Sequence, residues 1–152
     1  MRVQFVLPSI VAITILFVSG CGKFSPQVEF IITSPKSGSK FSRPLPLLVK
    51  GSIKEWEKHR SRHDKGQLFV YLIEQSRPEG QRWHIEPAAK IDSKGNWKAV
   101  TWLGNRKQGK RSVYSLCVFA TDKEIPLKNG DHPVMEKPEN IGELCIELKR
   151  AK

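Results

Sequence analysis

The chain has 152 residues, with 26 basic and 15 acidic side chains and a formal charge of +11. Apolar residues make up 39% and there are four tryptophans, so a folded domain is expected and a disordered tail excluded. A chain of this length suits one domain able to hold its core without metals, and the excess of positive charge favours acidic partners, plain solubility being the blander alternative.

The first twenty residues have the form of an export signal. Met1-Arg2 supplies a positive charge, and Phe5 to Val18 is apolar except at Pro8, Ser9 and Thr14. This run falls short of the roughly twenty residues of a spanning helix and fits a signal h-region. Val18-Ser19-Gly20-Cys21 follows it. These four positions resemble the bacterial lipobox, with Val18 in place of the commoner Leu. The resemblance implies cleavage between Gly20 and Cys21 and attachment of a diacylglycerol, with palmitate among its acyl chains, to the Cys21 thiol. Two or three acyl chains anchor stably where one alone is marginal. Gly22 stands where Asp would otherwise mark a sorting exception. The expected address is therefore the outer membrane of an envelope with two membranes, and otherwise the outer face of the cell membrane. The signal takes Arg2 with it, leaving a net charge of +10.

Residues 21–26 are expected to form a lipidated tether, residues 27–149 the domain, and residues 150–152 a basic tail. Past Pro26 the apolar spacing has period two, punctuated by Gly, Pro and Asn turns every eight to twelve residues. That pattern predicts strands in a sandwich or barrel. Strands are expected over 28–34, 47–53, 68–75, 82–91 (bent at Pro87), 97–103, 113–121 and 143–149. The segment 68–75 is apolar on both faces, so it should be central. Asp92-Ser93-Lys94-Gly95 has the composition of a tight hairpin. No long helix is expected. Segments 54–66 and 123–140 are expected to be loops. The second, with Pro126, Pro133 and Pro138, is long enough to be mobile.

Ile32-x-Ser34-Pro35-x-x-Gly38, then Val49-x-Gly51, then Asp92-x-x-Gly95-x-Trp97 and Leu103-Gly104 are similar to bacterial immunoglobulin-like or fibronectin-III-like modules of surface proteins. The resemblance implies a single all-β, antiparallel immunoglobulin-like sandwich of seven or eight strands. Such modules bind, space or display and share no active site, so no catalytic residue, metal site or cofactor follows beyond the covalent lipid on Cys21.

Motifs for nucleophilic, zinc or phosphate chemistry are missing. His59 and His63 would share a face of a helix. They stand among Lys58, Arg60, Arg62 and Lys65, whose charge opposes a cation, so a solvated loop is expected. Glu55 and Glu57 in the same loop lack an orienting partner. His84 and His132 stand alone. Cys117 and Cys145 fall on neighbouring strands, both facing away from the core. A cross-strand disulfide is favoured over two free thiols, with a reactive thiol third. Trp97 is expected in the core. Trp102 shares a face with Lys98 and Val100, and packing under a cover is favoured over exposure. Trp56 and Trp83 lie near strand ends, where they either plug the sandwich or, with Trp102, contact a ligand.

If every strand reverses direction, the tether and loops 54–66, 92–95 and 123–140 share one end. The other end then gathers Lys36, Lys40, Arg43, Arg77, Arg82, Arg106, Lys107, Lys110, Arg111, Lys149, Arg150 and Lys152, with Glu79 as its one acid. The expected function is a non-catalytic, monomeric binding or assembly module for an anionic wall polymer or acidic protein; nucleic acid is not favoured. The rivals are an enzyme acting on wall glycan through a carboxylate site and a passive spacer.

Overall fold

Asn96–Leu103 alternates strictly between exposed and buried, with Trp97, Ala99, Thr101 and Leu103 turned inward. This alternation is the pleat of a strand with one dry and one wet face. The computed structural model describes residues 27–41, 45–77, 83–103, 113–127, 132–134 and 137–151; at 45, 76–77 and 132–134 only the backbone is described. The fold is all-β with one short helix. In chain order the elements are β1 (Phe30–Ser34), β2 (Lys40–Phe41), β3 (Leu45–Ile53), α1 (Glu57–Asp64), β4 (Phe69–Arg77), β5 (Trp83–Ile85), β6 (Lys90–Ile91), β7 (Asn96–Leu103), β8 (Val113–Thr121), β9 (His132–Val134) and β10 (Gly142–Arg150).

They form two sheets, ordered β1-β3-β7-β6 and β2-β10-β8-β4-β5-β9. Phe30, Val49 and Trp97 of the first meet Leu72, Tyr114, Val118 and Leu148 of the second in one buried cluster. All pairings are antiparallel except β2 with β10, which is parallel (Lys40 opposite Lys149), so the expectation of a wholly antiparallel sandwich needs correcting. The cause is the turn after β1. It carries the chain from one sheet to the other, where the Gly38 N–H donates to the Glu147 carbonyl at 2.7 Å.

Three further expectations change. The segment 82–91 is not one bent strand. β5 pairs with β4 and β6 with β7, so the chain changes sheets around Pro87, which has no N–H to give to a ladder. Segment 54–66 is not a solvated loop, because α1 occupies its middle. Glu57 at its first turn and Arg62 and His63 at its last complement the helix dipole. The start of segment 123–140 is not free of the domain. The Ile125 N–H donates to Tyr71 Oη at 2.9 Å, and Ile125 and Leu127 pack on Tyr71, Ile73, Ile85, Cys117 and Phe119. This second apolar cluster explains why 68–75 is apolar on both faces.

His59 is the one buried residue of α1, at 3% exposure, and its Nδ1 has no hydrogen-bond partner. Burial pushes its pKa below the ordinary 6.5, and the Arg62 charge adds to this while Glu55 opposes it. The unfolded chain therefore takes up a proton near pH 6.5 that the folded chain resists. Stability is expected to hold above that pH and to decline as pH falls through the depressed folded value. Urea midpoints at about pH 7.5 and about pH 5 should differ less in His59→Gln than in the parent. An unchanged difference would exclude His59 as the source.

Candidate binding face

The core face of β1-β3-β7-β6 is dry, so the chemistry of this sheet lies on its outer face. There β3 and β7 set Pro46 opposite Trp102, Leu48 opposite Val100, Lys50 opposite Lys98 and Ser52 opposite Asn96. β6 adds Lys90 beside Lys98, and β1 places Ile31 beside Ser52. The result is a strip of apolar side chains, then a row of three lysines, then a polar row. Trp102 is 65% exposed, and Leu48, Val100 and Ile31 are each more than two-fifths exposed.

The lysine row is unusual electrostatically. Like charges directly opposite on neighbouring strands destabilise a sheet. Among the described residues, none of Lys50, Lys90 and Lys98 forms an ion pair. The nearby acids are engaged elsewhere. Glu86 Oε1 accepts from Thr101 Oγ1 at 2.8 Å and from the Trp102 N–H at 3.0 Å, capping the part of β7 that β6 leaves open. Asp92 accepts from the N–H groups of Lys94 and Asn96 and from Asn96 Nδ2. The Asn96 side chain, with the two backbone donors, holds this carboxyl below its usual range. Two shallow grooves flank the row. One, about 340 Å³, is mainly apolar and lined by Leu48, Pro87, Ala88, Val100, Lys90 and Lys98. The other, about 480 Å³, lies between Lys50, Lys90, Lys98 and Asp92.

The expected aromatic contacts separate. Trp102 is exposed, not covered. Trp56 is buried and unavailable to a ligand: its Nε1 donates to the Ser93 carbonyl at 3.1 Å, and its ring sits where a Cβ on Gly95 would be. Trp83 is half-buried, with the Lys137 ammonium 4.6 Å from its ring centre.

Lys137 also reaches Glu143 Oε1 at 2.8 Å and stands 3.7 Å from both sulfurs of a Cys117–Cys145 disulfide. The two cysteines are directly opposite on β8 and β10. Both face away from the main core, as expected, but Cys117 is fully buried beneath the second cluster while Cys145 is exposed. Among the described residues, Cys117, Cys145 and Glu143 are the one group close enough to hold a metal, and the disulfide occupies both sulfurs. Glu55 and Glu57 are exposed and face Lys58 and Arg60, not each other. His63 meets the Trp56 ring edge-on.

Of the basic end, Lys40 and Lys149 lie side by side and exposed, at the same end as Leu45, Arg77, Leu103 and Val113. Lys36 lies in the turn before Lys40. Its turn hydrogen-bonds partway along β10, beside Glu147, so an acid joins that region. Arg43, Arg82, Arg106, Lys107, Lys110, Arg111 and Lys152 lie outside the described residues, as do the Arg77 side chain and the expected cleavage position at Gly20-Cys21.

Lys50 and Lys90 escaped the sequence reading, since only the strand register aligns them with Lys98. The available signal was Leu47-Leu48-Val49, whose unbroken apolar run must put Leu48 outside. Comparison of the chain with protein-family models, curated proteins and solved structures returned no match.

Proposed function

We propose that the chain is a bacterial envelope lipoprotein, anchored through Cys21, whose immunoglobulin-like β-sandwich acts by binding an anionic partner and not by catalysis. The strand orders support the sandwich type. With β1, β3, β6 and β7 as strands A, B, D and E, and β4, β8 and β10 as C, F and G, they match the A-B-E-D and C-F-G sheets of that fold. The observation that carries the binding reading is a row of lysines without ion pairs among the described residues, on the same sheet face as an exposed tryptophan, a combination that a passive spacer does not require.

Labelled palmitate is expected to enter the protein in cells, and Cys21→Ala to abolish the label; a label that persists overturns the anchor. Exchanging Lys50, Lys90 and Lys98 together for Glu is expected to weaken retention on immobilised polyphosphate about tenfold or more at low salt. Equal retention overturns the binding face.

A further inference from the structure

The anionic partner of this face can be specified by asking what covers the lysines and the apolar strip together. A soluble polyanion neutralises Lys50, Lys98 and Lys90 and leaves Trp102, Val100 and Leu48 in water. The two sets are adjacent: Leu48 and Val100 are each two residues from the lysine on their own strand, about 7 Å along the sheet. We propose that the outer face of β1-β3-β7-β6 rests on an anionic phospholipid surface, with the three lysines on headgroup phosphates and Trp102, Val100 and Leu48 in the interfacial layer.

The charge complements such a surface. The three lysines cross neighbouring strands about 5 Å apart and have no ion-pair partner among the described residues. Glu86 and Asp92 are held in local hydrogen bonds, and the three ammonium groups outnumber the Asp92 carboxylate in the groove they share. Tryptophan and aliphatic side chains beside lysine are what the boundary between headgroups and acyl chains accommodates. Each lysine at an anionic leaflet is expected to raise partition about fivefold.

The geometry of attachment agrees, and here the inference rests on the anchored reading above. Phe30 stands opposite Ile53, three residues along β3 from Lys50, or about 10 Å. Val28 is fixed to the domain through its N–H on the Ile141 carbonyl, and the seven positions from Cys21 to it span at most about 25 Å. A lipid on Cys21 and the outer face can therefore meet the same leaflet. Tethering makes the second contact intramolecular, so a modest face suffices.

The test uses the full chain with vesicles of brominated phosphatidylcholine, with and without brominated phosphatidylglycerol. Trp56 and Trp97 are buried and Trp83 is half-buried, and the signal of Trp102 is taken as the difference between the parent and Trp102→Phe. Expected is quenching of Trp102 in the anionic vesicles, reduced by salt, and at least about tenfold weaker in the variant with Lys50, Lys90 and Lys98 changed to Glu. A Lys→Gln set serves if the Glu set misfolds. Vesicle flotation separates the two ideas. A chain that floats with Trp102 unquenched keeps its anchor and overturns the docking, leaving the face to an acidic polymer or protein. Equal quenching on neutral vesicles also overturns it. A chain that does not float overturns the anchor, and quenching at lipid excess then still decides the docking.

Discussion

Gly51→Ala is expected to cost about 3 kcal/mol or more and to lower the melting temperature by about 10 °C. Gly51 lies in the middle of β3, opposite Trp97 on β7. A methyl group there would run into the carbonyl oxygen of Ile31 and the Cζ2 of Trp97, with Trp97 Cε2 at 2.6 Å. The tryptophan is 2% exposed and packs edge-on against Phe30, so it has no free volume to swing into. The Ile31 carbonyl belongs to the neighbouring strand and can move only with it. Adding Trp97→Phe should therefore rescue part of the loss, because the ring clash is relieved and the carbonyl clash is not. Chemical unfolding of the two single variants and the double variant measures this coupling. A Gly51→Ala protein within about 0.5 kcal/mol of the parent would show that β1 and β3 are not in this register.

Loss of the disulfide is the second large effect. Cys117 and Cys145 are 28 residues apart, and closing a loop of that length stabilises by roughly 3–4 kcal/mol in the chain-entropy description. The two cysteines are not equivalent. Cys145→Ser places a hydroxyl in water, whereas Cys117→Ser buries one against Tyr71, Ile73 and Phe119. Cys117→Ser is thus expected to be the less stable of the two, and the parent in reductant to behave like Cys145→Ser. Melting curves with and without a phosphine reductant give the ordering. A parent whose melting does not respond to reductant would remove the bond as a source of stability.

The strands were legible where one face is dry. At 96–103 the period-two pattern agrees with the observed strand to within a residue, because burial on one face selects alternate side chains; 113–121 is buried on both faces, and there Tyr114, Leu116 and Val118 still mark the face on the main core. α1 was not legible, since Glu-Lys-His-Arg-Ser-Arg-His-Asp contains no apolar residue. Its contact with the domain comes from His59 and from Trp56 just before it, and neither produces a 3.6-residue repeat. The division of 82–91 between two sheets was visible as a bend at Pro87, but which sheet receives β6 depends on β7, a non-local pairing. The same limit hid the lysine row of the outer face. Lys50 and Lys98 are 48 residues apart and meet only through the β3–β7 register. Lys98, Val100 and Trp102 could be assigned to one face from their spacing; what lay over that face depended on chain elsewhere.

An outward-facing Trp102 beside Leu48 and Val100 is the kind of patch through which proteins stick to copies of themselves. The lysine row opposes that outcome. Two molecules meeting through this sheet would bring six ammonium groups within a screening length of about 8–10 Å, against the two Asp92 carboxylates beside the rows. The same three side chains that weaken the sheet by their mutual repulsion therefore act as a colloidal stabiliser. They keep the greasy strip from its own kind while leaving it open to a surface of opposite sign.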